Sequence, residues 1–347
     1  MGLPNLQTEQ YTLFGTTKNG SKIYRCNISN KNGMELYVCD FGATITALKV
    51  PLHNHEKIDV VLGFDDGESY EQSFLNNSSP FFGAAVGLHA GRINEGIINI
   101  NGQKIQLDTN FGKHHLHGGK INLSNQIWTL IDVENGENPS LSYEITTPAN
   151  QSNYPGSVTV KVTYQLLENN SLKITFTATT TADNPINLTQ HSYFNLNGHK
   201  HSIENLQLKL TAKQYLETDT DLIPSGKKLS VKETPFDFTD FKPCPTSIDT
   251  SFVLDQQEAS IIYNESNHLC MHVSTNQPSV HIYAGGQCDE NLKCKEGAHY
   301  HRVSGICFET QNFPDAPNHP EFPNSILKPG ETYFQETIFH FKNNCDH

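Results

Sequence analysis

A histidine in the middle of the chain stands where acid–base chemistry is possible. His191 lies inside the segment NLTQHSYFNL at residues 187–196, among hydroxyl, amide and aromatic side chains. Imidazole exchanges protons near neutral pH, and its two nitrogens need neighbours that fix the tautomer and the orientation of the ring. The segment therefore predicts a proton-transfer residue at His191.

A second candidate is Glu309, which ends an apolar run and precedes the proline-containing segment TQNFPDAPN at residues 310–318. A carboxylate held partly out of water beside apolar side chains gains proton affinity, and this suits a general base. A solvated glutamate at the end of a strand is the alternative interpretation of the same pattern.

The segment HHLHGG at residues 114–119 contains a third candidate, His117. Clustered histidines suggest a metal site, but no carboxylate follows at a short spacing, and the two glycines favour close approach of a ligand to the backbone. We predict a polar ligand-contacting loop with no metal. A metal site and an uninvolved loop remain open as alternatives.

The charge balance limits the ligands and partners. Asp and Glu number 37 against 24 Lys and Arg, and the net charge of −13 disfavours nucleic acid and anionic membranes. Only three of the cations are arginines (Arg25, Arg92 and Arg302), which disfavours a phosphate or carboxylate ligand and favours a neutral polyol such as a sugar. The composition does not indicate an oligomeric state.

Several features favour a cytoplasmic location. No run approaches the roughly 18 apolar residues that cross a bilayer, and residues 1–7 lack the basic and apolar regions of a secretory signal. The eight cysteines are scattered, several of them in apolar runs, and are expected to be buried thiols rather than a disulfide framework.

The elements that position these residues are expected to be β-strands. Apolar residues alternate with polar ones over residues 158–166 and again over 172–178, which predicts an antiparallel hairpin with a turn at Asn169-Asn170. No stretch of a dozen residues shows a helical apolar stripe. We therefore predict an all-β protein, a large antiparallel sandwich, with residues 1–347 forming one domain. Further strand-like runs lie at residues 35–39, 58–62, 206–210, 279–283 and 333–341.

Neither a dinucleotide-binding G-x-G-x-x-G, a Walker A sequence nor a G-x-S-x-G nucleophile elbow occurs in the sequence. The sequence thus favours a cofactor-free reaction or simple binding.

Three motifs in order, LHGG (116–119), NLTQHSYFNL (187–196) and ETQNFPD (309–315), resemble those of the aldose 1-epimerases, also called galactose mutarotases. The resemblance extends from about residue 41 to residue 331. It implies the galactose mutarotase-like super-β-sandwich, no cofactor, and a free aldohexose such as galactose or glucose as substrate.

Interconversion of the two anomers opens the hemiacetal, so the C1 hydroxyl loses a proton while the ring oxygen O5 gains one. The resemblance implies that Glu309 is the base at the C1 hydroxyl and that His191 is the acid at O5. The aldehyde rotates about C1–C2, and both proton transfers then reverse. Each positioned acid or base typically contributes about 10²- to 10⁴-fold.

The resemblance also implies a set of sugar-binding residues: His117, Arg92, Asp249, His281 and Tyr193. Four positions depart from the usual family pattern, namely Leu88, Gly91, Thr250 and Ser251. These departures keep open a sugar-binding protein that has lost catalysis. A glycoside hydrolase using Glu309 and Asp249 as its carboxylate pair is a third hypothesis, and it leaves His191 without a role.

Overall fold

Antiparallel β-sheets form most of the structure, as predicted. The structure, a computed structural model, describes residues 10–75, 79–284 and 292–345. In this part of the chain, α-helix occurs at α1 (Gly67–Leu75), and none of the helices there has the length and apolar character that crossing a membrane requires. Short 3-10 turns lie at Asn94–Gly96, Leu123–Asn125, Gln151–Asn153, Lys295–Gly297 and Ala316–Asn318.

The strands of the first half are β1 (Tyr11–Thr16), β2 (Lys22–Ser29), β3 (Glu35–Cys39), β4 (Thr44–Pro51), β5 (Lys57–Asp59), β6 (Ala85–Val86), β7 (Arg92–Ile93), β8 (Ile97–Ile100), β9 (Gln103–Gln106), β10 (His115–Leu116), β11 (Thr129–Glu134), β12 (Ser140–Thr147), β13 (Val158–Leu167) and β14 (Ser171–Thr180). Those of the second half are β15 (Asn184–Pro185), β16 (Thr189–Gln190), β17 (Tyr193–Phe194), β18 (Gln207–Leu210), β19 (Gln214–Thr218), β20 (Pro224–Ser230), β21 (Lys242–Pro243), β22 (Ile248–Val253), β23 (Glu258–Tyr263), β24 (Leu269–Thr275), β25 (Ser279–Ala284), β26 (Ile306–Gln311), β27 (Ile326–Leu327) and β28 (Tyr333–Asn343).

Three larger sheets organise these strands. A five-stranded sheet has the order β1-β2-β3-β4-β5, a nine-stranded sheet the order β11-β12-β13-β14-β28-β24-β23-β18-β21, and a six-stranded sheet the order β17-β26-β25-β22-β19-β20. The remaining described strands form the pairs β7/β10, β15/β27, β6/β16 and β8/β9.

The predicted hairpin is β13 and β14, paired in register from Val158 opposite Thr180 to Leu167 opposite Ser171. Along β13 buried and half-buried residues alternate strictly, because successive side chains of a strand point to opposite faces. The apolar face of this hairpin, including Val160, Tyr164 and Phe176, lies in the core.

The six-stranded and nine-stranded sheets pack face to face. Phe194 of β17 lies 4.9 Å, between ring centroids, from Phe339 of β28 and 6.1 Å from Phe308 of β26. Gln335 of β28 adds a hydrogen bond of 2.8 Å from its Nε2 to the carbonyl oxygen of Thr310. Ile306 and Phe308 of β26 point into this core, so the opposite face of the strand is free to form a site.

The cysteine expectation holds for some residues and is wrong for one pair. Cys26, Cys39, Cys244 and Cys307 are buried thiols, whereas Cys270 and Cys345 form a disulfide. Their pairing depends on the neighbouring positions of β24 and the end of β28, which no sequence spacing indicates. Cys288 and residues 1–9 lie outside the described residues. The cytoplasmic location and the single domain stay predictions.

Candidate active site

A cavity of about 490 Å³ lies over one face of the six-stranded sheet. The pairing of the strands places three polar residues side by side on its floor. Ser251 on β22 is opposite His281 on β25, and His281 is opposite Glu309 on β26. The adjacent cross-strand row contains Asp249, Tyr283, Cys307 and Tyr193. Antiparallel pairing therefore brings four separate parts of the chain onto one surface.

The alternation along β26 explains why Glu309 faces the cavity. Ile306 and Phe308 belong to the hydrophobic core, so Glu309 and Gln311, one and three positions after Phe308, point to the opposite face and line the cavity. Glu309 is nevertheless only 2% exposed, so its carboxylate lies in a largely dehydrated setting.

The backbone of His191 is fixed between β16 and β17. Its N–H donates to the carbonyl oxygen of Ala84 at 3.0 Å, and its own carbonyl oxygen accepts from the N–H of Gly83 at 2.9 Å. The imidazole stacks against Phe81 (centroids 5.9 Å apart) and Tyr193 (5.2 Å). These contacts fix the plane of a 4% exposed ring.

Each ring nitrogen of His191 has a distinct neighbour. Its Nε2 lies 3.5 Å from Oε1 of Glu309, and its Nδ1 lies 3.6 Å from Sγ of Cys307. Burial raises the pKa of the Cys307 thiol well above its usual value, so the sulfur stays protonated. A neutral thiol donates weakly to a bare Nδ1 and accepts weakly from a protonated one, so it is a partner for both states of the imidazole.

His117 follows β10 in the left-handed backbone region (φ 51°). Its N–H donates to the carbonyl oxygen of Gly91 at 3.1 Å, and its Nδ1 accepts from the Gly91 N–H at 3.2 Å. Gly118 has φ 89°, and a Cβ there would overlap the carbonyl oxygen of Gly87. Gly118 therefore permits a close approach, but of another backbone segment rather than of the ligand that the sequence predicted.

The hydrogen bond at Nδ1 places the proton of a neutral His117 on Nε2. Burial, together with the nearby His191 and Arg92, holds the pKa of His117 well below its usual value. His117 is therefore neutral near pH 7 and is a hydrogen-bond donor at Nε2.

A chain of polar contacts crosses the cavity wall from Ser251 to Arg92. Nδ1 of His281 lies 2.8 Å from Oγ of Ser251, and its Nε2 lies 2.9 Å from Oδ1 of Asp249. The other carboxylate oxygen of Asp249 is 3.5 Å from Nη2 of Arg92. The carboxylate is thus held between two cationic groups.

Burial alone would raise the pKa of Asp249, yet the hydrogen bond from His281 and the charges of His281 and Arg92 hold it well below its usual range. Burial opposes protonation of His281, but the hydrogen bond and charge of Asp249 raise its pKa above the usual value.

Arg92 has two further features. Its Cζ lies 5.2 Å from the ring centroid of Phe111, and its buried Nε has no hydrogen-bond partner within the described residues.

Two of the four departures from the family pattern line the cavity. Gly91 has φ 76°, and a Cβ there would lie 3.0 Å from Cβ of Pro314, so a larger side chain would be crowded. Ser251 contacts His281, as described above. Leu88 is instead packed in the core, and Thr250 is not among the cavity-lining residues.

The histidines of the segment at residues 114–119 have different environments. Nδ1 of His115 lies 2.8 Å from the Asp108 carbonyl oxygen and its Nε2 lies 2.8 Å from the Tyr154 hydroxyl, inside the protein. Ligand atoms of His117, His191 and Glu309 lie within 4.8 Å of one another, so these three residues have a geometry that could hold a metal ion. A general acid–base pair with a neighbouring donor has the same geometry.

All seven residues predicted from the sequence (Glu309, His191, His117, Arg92, Asp249, Tyr193 and His281) line this cavity. The sequence reasoning missed Gln311, Tyr283 and Phe81, which also line it. Gln311 and Tyr283 each follow a predicted residue by two positions on a strand, and that spacing could have identified them. Phe81 lies in a loop with φ 55°, for which the sequence carries no signal.

Comparison with known proteins agrees with this fold. The family model described as aldose 1-epimerase matches residues 24–340. A galactose mutarotase of Bos taurus is 36% identical over 319 residues, covering 88% of this chain and 90% of the relative. An aldose 1-epimerase of Haemophilus influenzae is 33% identical over 342 residues, covering 93% and 97% respectively. A solved structure of a GalM/aldose epimerase homologue from C. elegans has a TM-score of 0.83 at 28% identity, covering 92% of this chain and 98% of its own.

The cavity, with a buried histidine and a buried glutamate on an antiparallel β-sandwich, is suited to an isomerase. The chain belongs to the aldose 1-epimerase family. The fold and enzyme class predicted from the sequence are thereby confirmed.

Proposed function

We propose that this protein interconverts the α and β anomers of free aldohexoses, with galactose and glucose as substrates. The observation that carries the proposal is the 3.5 Å approach of His191 Nε2 to Glu309 Oε1 inside the cavity. The C1 hydroxyl oxygen and the ring oxygen O5 are bonded to the same carbon. A base and an acid that serve these two atoms must therefore lie within a few ångströms of each other.

In ring opening, Glu309 takes the proton of the C1 hydroxyl while His191 gives the proton of Nε2 to O5, and the C1–O5 bond breaks. The aldehyde then rotates about C1–C2. Ring closure on the other face returns the proton from Glu309 to the C1 oxygen and the O5 proton to His191. Both groups regain their starting states without a further reactant, consistent with a cofactor-free reaction.

Recognition of the sugar is assigned to the polar residues around this pair. Neutral His117 donates from Nε2, and the Arg92–Asp249–His281 chain offers a carboxylate acceptor beside two donor groups. The negative charge of Asp249 beside these donors disfavours a phosphate, so the surface suits hydroxyl groups better. The rings of Tyr193, Tyr283 and Phe81 provide apolar contact for the C–H faces of a pyranose.

The hydrolase alternative is poorly supported by the site. A glycosidase would need one member of its carboxylate pair to donate a proton to the leaving oxygen. A hydrolase that used Glu309 and Asp249 as this pair would leave His191, which lies 3.5 Å from Glu309, without a role. The intact His191–Glu309 pair likewise favours catalysis over binding alone.

The test is to follow the optical rotation of freshly dissolved α-D-galactose, and in parallel α-D-glucose, with and without the protein. An approach to the equilibrium rotation faster than in buffer supports the proposal. Sugar binding measured by calorimetry without acceleration would instead support the binding-protein alternative.

A further inference from the structure

A second cluster of reactive side chains lies in the nine-stranded sheet, on β24 and the segment that follows β28. Met271 and Val273 of β24 belong to the hydrophobic core, so the alternating positions Cys270 and His272 lie on the opposite face of the strand. Cys345 follows β28, which pairs with β24, and its Cα lies 5.6 Å from that of Cys270. The two cysteines form the disulfide described above.

The imidazole of His272 completes a three-residue cluster. The two Sγ atoms and one ligand nitrogen of His272 all lie within 4.8 Å of one another. Nδ1 of His272 lies 3.1 Å from Oε1 of Glu258 on the adjacent strand β23. The buried Nε2 has no hydrogen-bond partner within the described residues, so it is the nitrogen free to act as a ligand.

In metal sites, a carboxylate that accepts a hydrogen bond from one nitrogen of a histidine typically orients the imidazole. It fixes the tautomer and raises the basicity of the other nitrogen, which binds the metal. Cysteine sulfur is a soft ligand and imidazole nitrogen is a borderline one. A site with two sulfurs and one nitrogen therefore prefers zinc over magnesium or calcium. His340 lies directly opposite His272 and Lys342 opposite Cys270, so no further carboxylate is contributed by those cross-strand positions.

We propose that reduction of the Cys270–Cys345 disulfide creates a site for one zinc ion, bound by both thiolates and by Nε2 of His272. The reduction is thiol–disulfide exchange: two electrons and two protons from a cellular dithiol convert the protein disulfide to two thiols, and the dithiol becomes a disulfide. Zinc then displaces the two thiol protons, and water occupies the fourth position. The disulfide and the zinc site are mutually exclusive, so metal binding depends on redox state.

Both states connect the chain end after β28 to β24. In the oxidised protein the connection is covalent, and in the reduced protein it runs through the ion. Because thiolates compete with protons for the metal, zinc affinity should fall as the pH is lowered. Zinc should stabilise the reduced protein by mass action and leave the oxidised protein unchanged.

The experiment is an anaerobic titration of the full chain with Co²⁺, after reduction and removal of the reductant. Reduced wild-type protein is expected to develop sulfur-to-cobalt charge-transfer absorption that saturates at one equivalent and disappears when Zn²⁺ is added. The oxidised protein should not develop it. Absence of the band in the reduced protein would overturn the proposal, as would equal intensity in both redox states.

Substitutions of the proposed ligands test where the metal ion binds. Cys345→Ala should abolish the band, His272→Asn should weaken Co²⁺ binding strongly, and Glu258→Gln should weaken it about 10- to 100-fold. The matched control is Cys244→Ala, which removes a buried thiol elsewhere and should bind as wild type does. Thermal melts of each variant without metal establish that it is folded. A band that survives Cys345→Ala would refute the site, and cobalt bound by His117, His191 and Glu309 would give no sulfur band.

Discussion

Nε2 of His191 lies 3.5 Å from Oε1 of Glu309, although one residue precedes β17 and the other lies within β26. The pairing of β17 with β26 creates this proximity, since Tyr193 is opposite Cys307 and both catalytic candidates lie two positions from that pair. The proximity of the two groups is a consequence of strand register rather than of a local motif.

Replacing His191 tests the proposed acid. His191→Asn keeps a polar side chain but removes the proton donor, so kcat should fall about 10²- to 10⁴-fold, with a smaller effect on KM. Polarimetric kinetics measure both constants. The control His301→Asn changes an exposed histidine and should keep wild-type kinetics; a similar loss in both variants would contradict the assignment.

Cys307 is predicted to be a positioning residue that acts through His191. Cys307→Ala removes the partner of Nδ1, and a weak hydrogen bond of about 0.5–1.5 kcal/mol corresponds to a fall in kcat of roughly two- to tenfold. KM should be little affected, because Cys307 is not among the residues that line the cavity. Cys26→Ala removes another buried thiol and should leave both kcat and KM unchanged.

We predict that Gln311 contributes to sugar binding and lowers the stability of the fold. Its buried Oε1 has no hydrogen-bond partner within the described residues, and such a group costs about 1–3 kcal/mol. Gln311→Met should therefore raise the free energy of unfolding while increasing KM. In the control Gln335→Met, a glutamine that is hydrogen-bonded to Thr310 and Tyr333 is removed, so stability should fall. Lower stability in Gln311→Met would contradict the prediction.

The Asp249–His281 contact predicts a stability difference that depends on pH. Folding raises the pKa of His281, so its protonated form stabilises the native state fully below the usual value of 6.5, and this stabilisation is lost as the pH rises through the raised value. Folding lowers the pKa of Asp249, so its contribution is complete above 3.8 and is lost as the pH falls through the lowered value.

Thermal melts of wild type and His281→Gln measure this effect. The wild-type protein should have a higher free energy of unfolding than His281→Gln. The difference should be largest between pH 3.8 and pH 6.5, the usual pKa values of the two groups, and should shrink toward alkaline pH. An advantage that does not change with pH would show that His281 contributes through packing alone.

The sequence predicted the parts of this site that depend on local pattern and motif. The strict alternation over residues 158–166 identified β13, and the motif around Glu309 identified a buried carboxylate. Phe81 was not predictable, because its stacking on His191 depends on a loop conformation and on a contact between distant segments. The Cys270–Cys345 disulfide was missed for a related reason, since it depends on the pairing of β24 with β28.

The most direct test of the account compares wild type with Glu309→Gln in the mutarotation of α-D-galactose, followed by polarimetry. Gln keeps the size of the side chain but cannot accept the C1 hydroxyl proton, so kcat should fall about 10²- to 10⁴-fold in a protein whose melting temperature and sugar affinity remain measurable. A Glu309→Gln variant that restores equilibrium rotation at a rate near that of wild type would contradict the central claim.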